Sequence, residues 1–138
     1  MQKLSQAALL GVLLLVLLGV EVGKAESVAV YKKISAPEVK AFMDSGEPYI
    51  LIDVRTDQEF QESHIQGAIL IPSTEIKNRA VSELPNTDSL IFVYCRSGRR
   101  SSMVAKELIL LGYSRVYDIG GIVAWPYGTV TGSSGEKQ

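Results

Sequence analysis

The sequence is poor in cysteine and histidine, with one residue of each among its 138. A single cysteine excludes an internal disulfide framework, a Cys-x-x-Cys redox motif and a thiolate metal cluster. A single histidine leaves no set of zinc ligands, so we expect neither a metal nor another cofactor. Lysine and arginine total 14 against 15 acidic residues, and this balance argues against a nucleic-acid-binding surface. The sequence also has no internal repeats.

The N-terminal segment predicts export. Lys3 precedes an unbroken apolar run over residues 7–20, and Gly23 and Ala25 follow at the spacing that a signal peptidase accepts. We therefore expect a signal peptide over residues 1–25 and a periplasmic or extracellular protein without stable membrane contact after cleavage. An uncleaved anchor is the alternative, although the run of about 14 residues is shorter than the roughly 20 that a membrane helix needs.

The rest of the chain suits one small domain over residues 26–127, followed by a flexible tail over residues 128–138 that is rich in glycine, serine and charge. Strand and helix signals alternate along this domain, which predicts an α/β fold with a doubly wound, mainly parallel sheet and helices on both faces. We expect strands near residues 28–31, 49–54, 68–71, 90–94 and 115–119, and helices starting at Ser35, Thr56, Ser73 and Ser101.

The only cysteine, Cys95, stands between a predicted strand and a predicted helix. Residues 90–94 are a short β-branched and aromatic run, which is typical of a buried parallel strand. From Ser101 onward, apolar residues recur at a spacing of three and four, which predicts an amphipathic helix ending at Gly112. Cys95 should therefore face the N-terminus of a helix, where free backbone N–H groups favour an anion.

Three arginines follow Cys95 within five residues: Arg96, Arg99 and Arg100. A free thiol titrates near pH 8.5, and nearby positive charge would lower its pKa and produce a nucleophilic thiolate. Guanidinium groups also bind oxyanions through paired hydrogen bonds. Gly98 would let the loop curl so that its N–H groups face inward. These features favour a nucleophile over the alternative of a small buried cysteine.

The loop Cys-Arg-Ser-Gly-Arg-Arg-Ser resembles the active-site loop of the single-domain rhodaneses, which carry sulfane sulfur as a cysteine persulfide. Further matches in the family's order and spacing extend the resemblance over about residues 31–126. They are Leu-Ile-Asp-Val-Arg at 51–55, Glu59 with Phe60, His-Ile-Gln-Gly-Ala at 64–68, Ile71 with Pro72, Asp-Ile-Gly-Gly at 118–121, and Trp125.

The resemblance implies an exported thiosulfate sulfurtransferase with about five strands and no cofactor. Cys95 would take sulfur from a small anionic donor such as thiosulfate and pass it to a thiol or cyanide acceptor. We expect the protein to be a monomer. The residues expected to bind substrate are Arg96, Ser97, Gly98, Arg99, Arg100 and Ser101.

Five other residues are weaker candidates. Asp53 and Arg55 end a strand that should lie beside the Cys95 strand, and we interpret them as a supporting ion pair rather than as chemical participants. His64 could pair with a cysteine nucleophile, but in the rhodaneses the matching histidine belongs to a turn. Trp125 is expected to pack against the core or to rim the pocket, as is Tyr127.

Two other functions use a similar loop. Cysteine phosphatases and arsenate reductases need Cys-x5-Arg to encircle a tetrahedral oxyanion, whereas here Ser101 holds that position and Arg100 comes one residue early. The shorter loop favours a single sulfur atom over a phosphate. A sulfur carrier or anion-sensing module without turnover needs the same loop, so the sequence leaves that alternative open.

Overall fold

A five-stranded parallel sheet lies at the centre of the structure, a computed structural model that describes residues 29–133. Its strand order is β1-β5-β4-β2-β3, and every pair of neighbours runs parallel. The strands are β1 (Lys32–Lys33), β2 (Ile50–Asp53), β3 (Ile69–Leu70), β4 (Leu90–Cys95) and β5 (Arg115–Gly121). The helices are α1 (Ala36–Ser45), α2 (Asp57–Glu62), α3 (Ile76–Glu83) and α4 (Arg99–Leu110), and a 3-10 helix, Ile122–Ala124, follows β5.

Helices cover both faces of the sheet, because alternate residues of the buried strands point to opposite sides. One apolar cluster joins Ile91, Val93 and Cys95 of β4 to buried residues of α3 and α4. The other joins Phe92 and Tyr94 to buried residues of α1 and α2. The predicted doubly wound α/β fold with a five-stranded, mainly parallel sheet is thus confirmed. The predicted signal peptide lies outside the described residues.

Local start signals place the first two helices. The backbone N–H of Ser35 donates to the Glu38 carboxylate at 2.9 Å, and that of Thr56 donates to the Glu59 carboxylate at the same distance. In both helices the cap and the third helical residue satisfy each other's free groups, as a capping box does. Gly46, at φ +77°, ends α1 in the left-handed conformation.

Three predicted boundaries are wrong. The first strand is β1, later than residues 28–31, because its register places Lys32 and Lys33 opposite β5. Ser73 does not cap α3, since a tight turn in which the N–H of Glu75 donates to the carbonyl of Pro72 comes first. The helix α4 begins at Arg99 rather than Ser101, because Gly98 adopts a φ of +103° and occupies the N-cap position.

The chain after β5 returns to the face that holds α1 and α2. Trp125 packs against the apolar cluster of that face and meets Tyr127 edge-on, with ring centroids 5.0 Å apart. We expected the chain to fray from Gly128, but Val130 pairs with His64 and the N–H of Gly132 donates to the carbonyl of Gln61. Within residues 29–133, no helix is long and apolar enough to cross a membrane.

Candidate functional site

Cys95 is the last residue of β4, at the carboxyl edge of the sheet. Its neighbours at this edge come from β2 on one side and β5 on the other. Only Arg96, Ser97 and Gly98 connect it to α4, so the sulfur faces the N-terminus of that helix. Carboxyl ends of parallel strands beside helix N-termini are where α/β folds bind ligands. The predicted position of Cys95 between a strand and a helix is therefore confirmed.

The loop wraps closely around the sulfur, and Cys95 is only 1% exposed. Because Gly98 has a positive φ, its backbone N–H turns inward and donates to Sγ at 3.0 Å. The hydroxyl oxygen of Ser101 lies 3.6 Å from Sγ. This arrangement is the inward-facing loop that the glycine predicted.

The surroundings of the sulfur lower the pKa of the Cys95 thiol below its ordinary value. Burial is the largest influence and acts to raise the pKa, but hydrogen bonds outweigh it. They come from the backbone and side chain of Ser101 and from the backbone of Gly98 and Ser97. The loop thus favours a thiolate mainly through preorganised donors rather than through arginine charge.

Ser101 lies beside the sulfur in the interior of the protein, and it is fully buried. Its hydroxyl also lies 3.1 Å from the Gly98 carbonyl oxygen and 3.3 Å from that of Gly120. The hydroxyl therefore links the sulfur, the loop and the end of β5. Its contacts are with the sulfur and with the carbonyls that support the loop, and substrate binding by Ser101 stays a prediction.

A glycine at the end of β5, which sequence reasoning did not include in the site, makes the close loop possible. A Cβ on Gly121 would stand 2.1 Å from the Arg96 carbonyl oxygen and 2.6 Å from the Ser97 Cα. Only a residue without a side chain allows the strand and loop backbones to approach so closely. In the sequence, the Gly120-Gly121 pair indicated a close approach of backbone, but it did not indicate that the approaching segment is the loop after Cys95.

The three arginines differ in their surroundings. Arg96 and Arg99 are exposed on the loop and the first residue of α4. Arg100 is partly buried, and its guanidinium donates two hydrogen bonds to the Glu59 carboxylate at 2.7 and 2.8 Å. Glu59 was also missed as a site residue, since its capping motif indicated only a helix start.

Asp53 and Arg55 form a buried ion pair at the end of β2. The guanidinium donates to both carboxylate oxygens, with Nη2 at 2.8 Å from Oδ2, and to the Ser63 carbonyl. Asp53 lies in register with Tyr94, whose ring is 5.7 Å from the guanidinium carbon of Arg55. These contacts fit the ion-pair interpretation. The Asp53 carboxylate and the Arg55 guanidinium are hydrogen-bonded to each other, on the side of the sheet opposite the Cys95 side chain.

His64 is engaged away from the cysteine loop. Its ring stacks on Phe60 at 3.7 Å between centroids, and its Nδ1 lies 2.9 Å from the Phe60 carbonyl oxygen. Its backbone pairs with Val130. The histidine thus has the contacts of a turn residue. In the part of the chain that the structure describes, no group of three histidine, cysteine, aspartate or glutamate residues could hold a metal ion.

Two open cavities bear on the predicted site residues, and one of them borders the loop. One of about 290 Å³ borders the loop and is lined by Ser97, Gly98 and Arg99, together with Lys33 and Asp118 from the strands. Another of about 370 Å³ lies between α1 and the C-terminal segment. Trp125 and Tyr127 line the second cavity, which contains no residue of the Cys95 loop, and of the two rings Trp125 packs against the core.

The chain matches the model of the rhodanese-like domain over residues 35–126. It is 39% identical over 71 residues to the thiosulfate sulfurtransferase PspE of Escherichia coli strain K12, a match that covers 51% of this chain and 68% of that protein. It is 35% identical over 94 residues to the putative sulfur carrier protein YrkF of Bacillus subtilis strain 168, covering 68% of this chain but only half of that relative.

Among solved structures, a rhodanese with anions from E. coli superposes with a TM-score of 0.58 at 35% identity, covering 62% of this chain and all of the other. The matched region contains four of the five strands, β2 to β5, and the Cys95 loop. Fold, motif order and sequence identity agree with one another. The chain therefore belongs to the rhodanese-like family of sulfurtransferases.

Proposed function

We propose that this protein moves a sulfane sulfur from thiosulfate, or a related small anionic donor, to a thiol or cyanide acceptor through a persulfide on Cys95. The observation that carries the proposal is the sulfur held inside a loop of inward-facing N–H groups at a helix N-terminus. The thiosulfate sulfurtransferase among its relatives supports the choice of donor. The lowered pKa of the thiol supports a nucleophilic role.

The first half-reaction forms one S–S bond and breaks another. The Cys95 thiolate attacks the outer sulfur of thiosulfate, and the bond between the two donor sulfurs breaks with its electron pair leaving on sulfite. The exposed guanidinium groups of Arg96 and Arg99 attract and orient the dianion as it approaches. The enzyme is left as the Cys95 persulfide anion, and no proton is consumed.

The second half-reaction restores the thiolate. A thiolate or cyanide attacks the outer sulfur of the persulfide, and the bond to Sγ breaks with its electron pair returning to Cys95. The N–H of Gly98 and the hydroxyl of Ser101 stabilise the sulfur that receives this charge. One preorganised loop therefore serves both steps.

The loop is less suited to phosphate or arsenate chemistry. Those reactions need an arginine to close a ring of donors around a tetrahedral oxyanion. Here Arg100 comes one residue early, and both of its terminal nitrogens are hydrogen-bonded to Glu59. We therefore favour transfer of a single sulfur atom.

A second candidate function is that of a sulfur carrier, which accepts sulfur once and delivers it to a partner without rapid turnover. The putative sulfur carrier among the relatives favours it. Burst kinetics distinguish the two functions. An enzyme continues to release sulfite with excess thiosulfate and cyanide, whereas a carrier releases about one equivalent and then waits for its acceptor.

The central test is the Cys95→Ser variant. A serine hydroxyl is nearly isosteric but is a far weaker nucleophile near neutral pH, so we expect a folded protein with no detectable sulfur transfer. Mass spectrometry of the wild type should show a gain of one sulfur after thiosulfate and its loss after cyanide. Transfer at wild-type rate by the serine variant would refute the proposal.

We also propose that the protein is exported as a soluble monomer after cleavage behind Ala25. The support is the short apolar run and the small residues that follow it. N-terminal sequencing of the protein from cell fractions should find Glu26 first, and sedimentation should give the mass of one chain. An intact Met1 in the membrane fraction would show an anchor instead.

A further inference from the structure

The ion pair between Glu59 and Arg100 connects two helix N-termini across 41 residues of sequence. Each terminal nitrogen of Arg100 donates to a different oxygen of Glu59, at 2.7 and 2.8 Å. The side chain of Arg100 is 32% exposed and that of Glu59 is 25% exposed, so the contact is partly shielded from water. Paired hydrogen bonds of this kind fix the plane as well as the position of a guanidinium group.

Glu59 is itself held in place. Its Oε2 also accepts hydrogen bonds from the backbone N–H and the hydroxyl of Thr56, at 2.9 and 3.1 Å. The hydrogen bonds from Arg100 are the largest influence on its pKa, and together with those from Thr56 they lower it to about 2 despite partial burial. Glu59 therefore carries a full negative charge throughout the neutral range.

Arg100 adjoins the sulfur site through its place in the chain. It directly precedes Ser101, whose hydroxyl lies 3.6 Å from Sγ. The pKa of Arg100 is raised chiefly by its hydrogen bonds to Glu59, and the negative charges of Glu59 and the Cys95 thiolate add to this effect against burial. The positive charge of Arg100 therefore acts on the sulfur, and the negative charge of Glu59 offsets that effect.

We infer that Glu59 is a positioning residue that determines specificity by neutralising Arg100 and holding it away from the donor. The cations that then face an incoming anion are Arg96 and Arg99 of the loop region and Lys33 of the adjoining cavity, without Arg100. The inference rests on the proposed function, because it concerns the positive charge that selects an anionic sulfur donor. Arg100 is then engaged by Glu59 rather than acting as a ligand of the donor.

The test measures the charge at the sulfur without requiring sulfur transfer. Iodoacetate and iodoacetamide both alkylate a thiolate by displacing iodide and forming a thioether, but only iodoacetate is negative. Cys95 is the only cysteine, so the reaction reports one site. Thiolate fraction and access affect both rates equally, so the ratio of the rates isolates local charge from loop loosening.

Four proteins form a charge series. The Glu59–Arg100 pair has net charge 0 in the wild type, +1 in Glu59→Gln, −1 in Arg100→Gln and 0 in the double variant. The other charged groups near the loop are the same in all four: the buried Asp53–Arg55 pair, Lys33, Asp118 and the exposed Arg96 and Arg99. Glu83→Gln, which removes a partner of Arg79 in α3, is the control for loss of a surface ion pair far from the loop.

We expect Glu59→Gln to raise the iodoacetate-to-iodoacetamide rate ratio about threefold to fivefold at low salt, which is the scale for one unit charge in partly exposed surroundings. Arg100→Gln should lower the ratio by a similar factor. The double variant and the Glu83→Gln control should stay within about twofold of the wild type. The differences should shrink at high salt, since exposed charges are screened.

A ratio that stays within about twofold across all four proteins would overturn the inference, as would a fall in Glu59→Gln. The donor half-reaction with thiosulfate should follow the same order, fastest in Glu59→Gln. If the ratios follow the charge series but the wild type never forms a persulfide, the proposed function fails while the assignment of Glu59 stands. If neither reagent alkylates the native protein, the inference and the proposed function both fail, because small molecules do not reach the sulfur.

Discussion

Ser101 shows how one buried hydroxyl contributes to the chemistry of a neighbouring thiol. Both its backbone and its side chain act to lower the pKa of Cys95, and they oppose the effect of burial. The hydroxyl also supports the Gly98 and Gly120 carbonyls. It therefore has an electrostatic role at the sulfur and a structural role in the loop.

We predict that Ser101→Ala raises the pKa of the Cys95 thiol and slows the donor half-reaction at neutral pH. The variant should also lose about 1 kcal/mol of unfolding free energy, because a buried hydrogen-bond donor is removed. The pH dependence of iodoacetamide alkylation measures the pKa. Ser102→Ala, one position along α4 and only partly buried, is the control. An unchanged alkylation profile would contradict the electrostatic role.

At the level of strands and loops, a close approach of two backbones joins the end of β5 to the loop after β4. Gly121 is opposite Cys95 in the sheet register, and the register shifts between Val93 and Tyr94 as the strands approach the loop. The contact leaves no room for a Cβ at Gly121. Strand β5 therefore shapes the loop without contributing a reactive side chain.

We predict that Gly121→Ala displaces the loop, lowers the rate of persulfide formation at least tenfold and costs about 1 to 3 kcal/mol of stability, the scale for overpacking. Persulfide formation with thiosulfate and urea unfolding provide the measurements. Gly46→Ala is the control: it is strained by its positive φ, but a Cβ there meets no atom within 4 Å. Normal persulfide formation by Gly121→Ala would show that the loop tolerates displacement.

The helices α3 and α4 are joined on their face of the sheet by Tyr113, which is 2% exposed. Its hydroxyl lies 3.0 Å from the Ala80 carbonyl oxygen and 2.7 Å from that of Leu84, at the C-terminal end of α3. The Ala80 carbonyl also accepts the backbone N–H of Leu84, whereas Leu84 itself follows the last residue of α3. The hydroxyl therefore supplies a donor at the end of α3 from another element.

We predict that Tyr113→Phe lowers the unfolding free energy by about 1 to 2 kcal/mol, because the helix loses its donor while the ring still fills the core. Urea denaturation measures this change. Sulfur transfer should be unaffected at temperatures well below the unfolding transition, since Tyr113 lies outside the loop. A loss of activity without a loss of stability would show that α3 influences the site.

For the domain as a whole, the ionised Glu59 links stability to pH. Its pKa is about 2 in the folded protein against an ordinary value of 4.5. A lowered carboxyl pKa stabilises the fold fully above the ordinary value, and this contribution is lost as the pH falls from about 4.5 toward 2.

We predict that the wild type loses more stability than Glu59→Gln between pH 5 and pH 2.5, so that the two curves converge in acid. Urea unfolding at a series of pH values measures both curves, and Glu83→Gln provides a second comparison at an exposed ion pair. Parallel curves for the wild type and Glu59→Gln would show that the pair contributes nothing to the acid sensitivity of the fold.

Much of the fold could be predicted because its signals are local. The capping boxes at Ser35 and Thr56 use contacts within three residues, and they placed two helix starts correctly. Alternating strand and helix patterns predicted the parallel sheet, and β2 lies beside β4 as expected. The cap predicted at Ser73 was wrong, because a local pattern does not exclude a competing turn.

The sequence alone determined the central loop: a cysteine at the end of a buried strand, a glycine that turns N–H groups inward, and arginines close by. Each of these depends on neighbours in the chain. Tertiary structure decided what the loop residues do. Arg100 is hydrogen-bonded to Glu59, and Gly121 leaves room for the backbone of the loop because it has no Cβ. Both contacts join residues more than 20 positions apart. Such contacts form only when the sheet brings strand ends together, so no local pattern can reveal them.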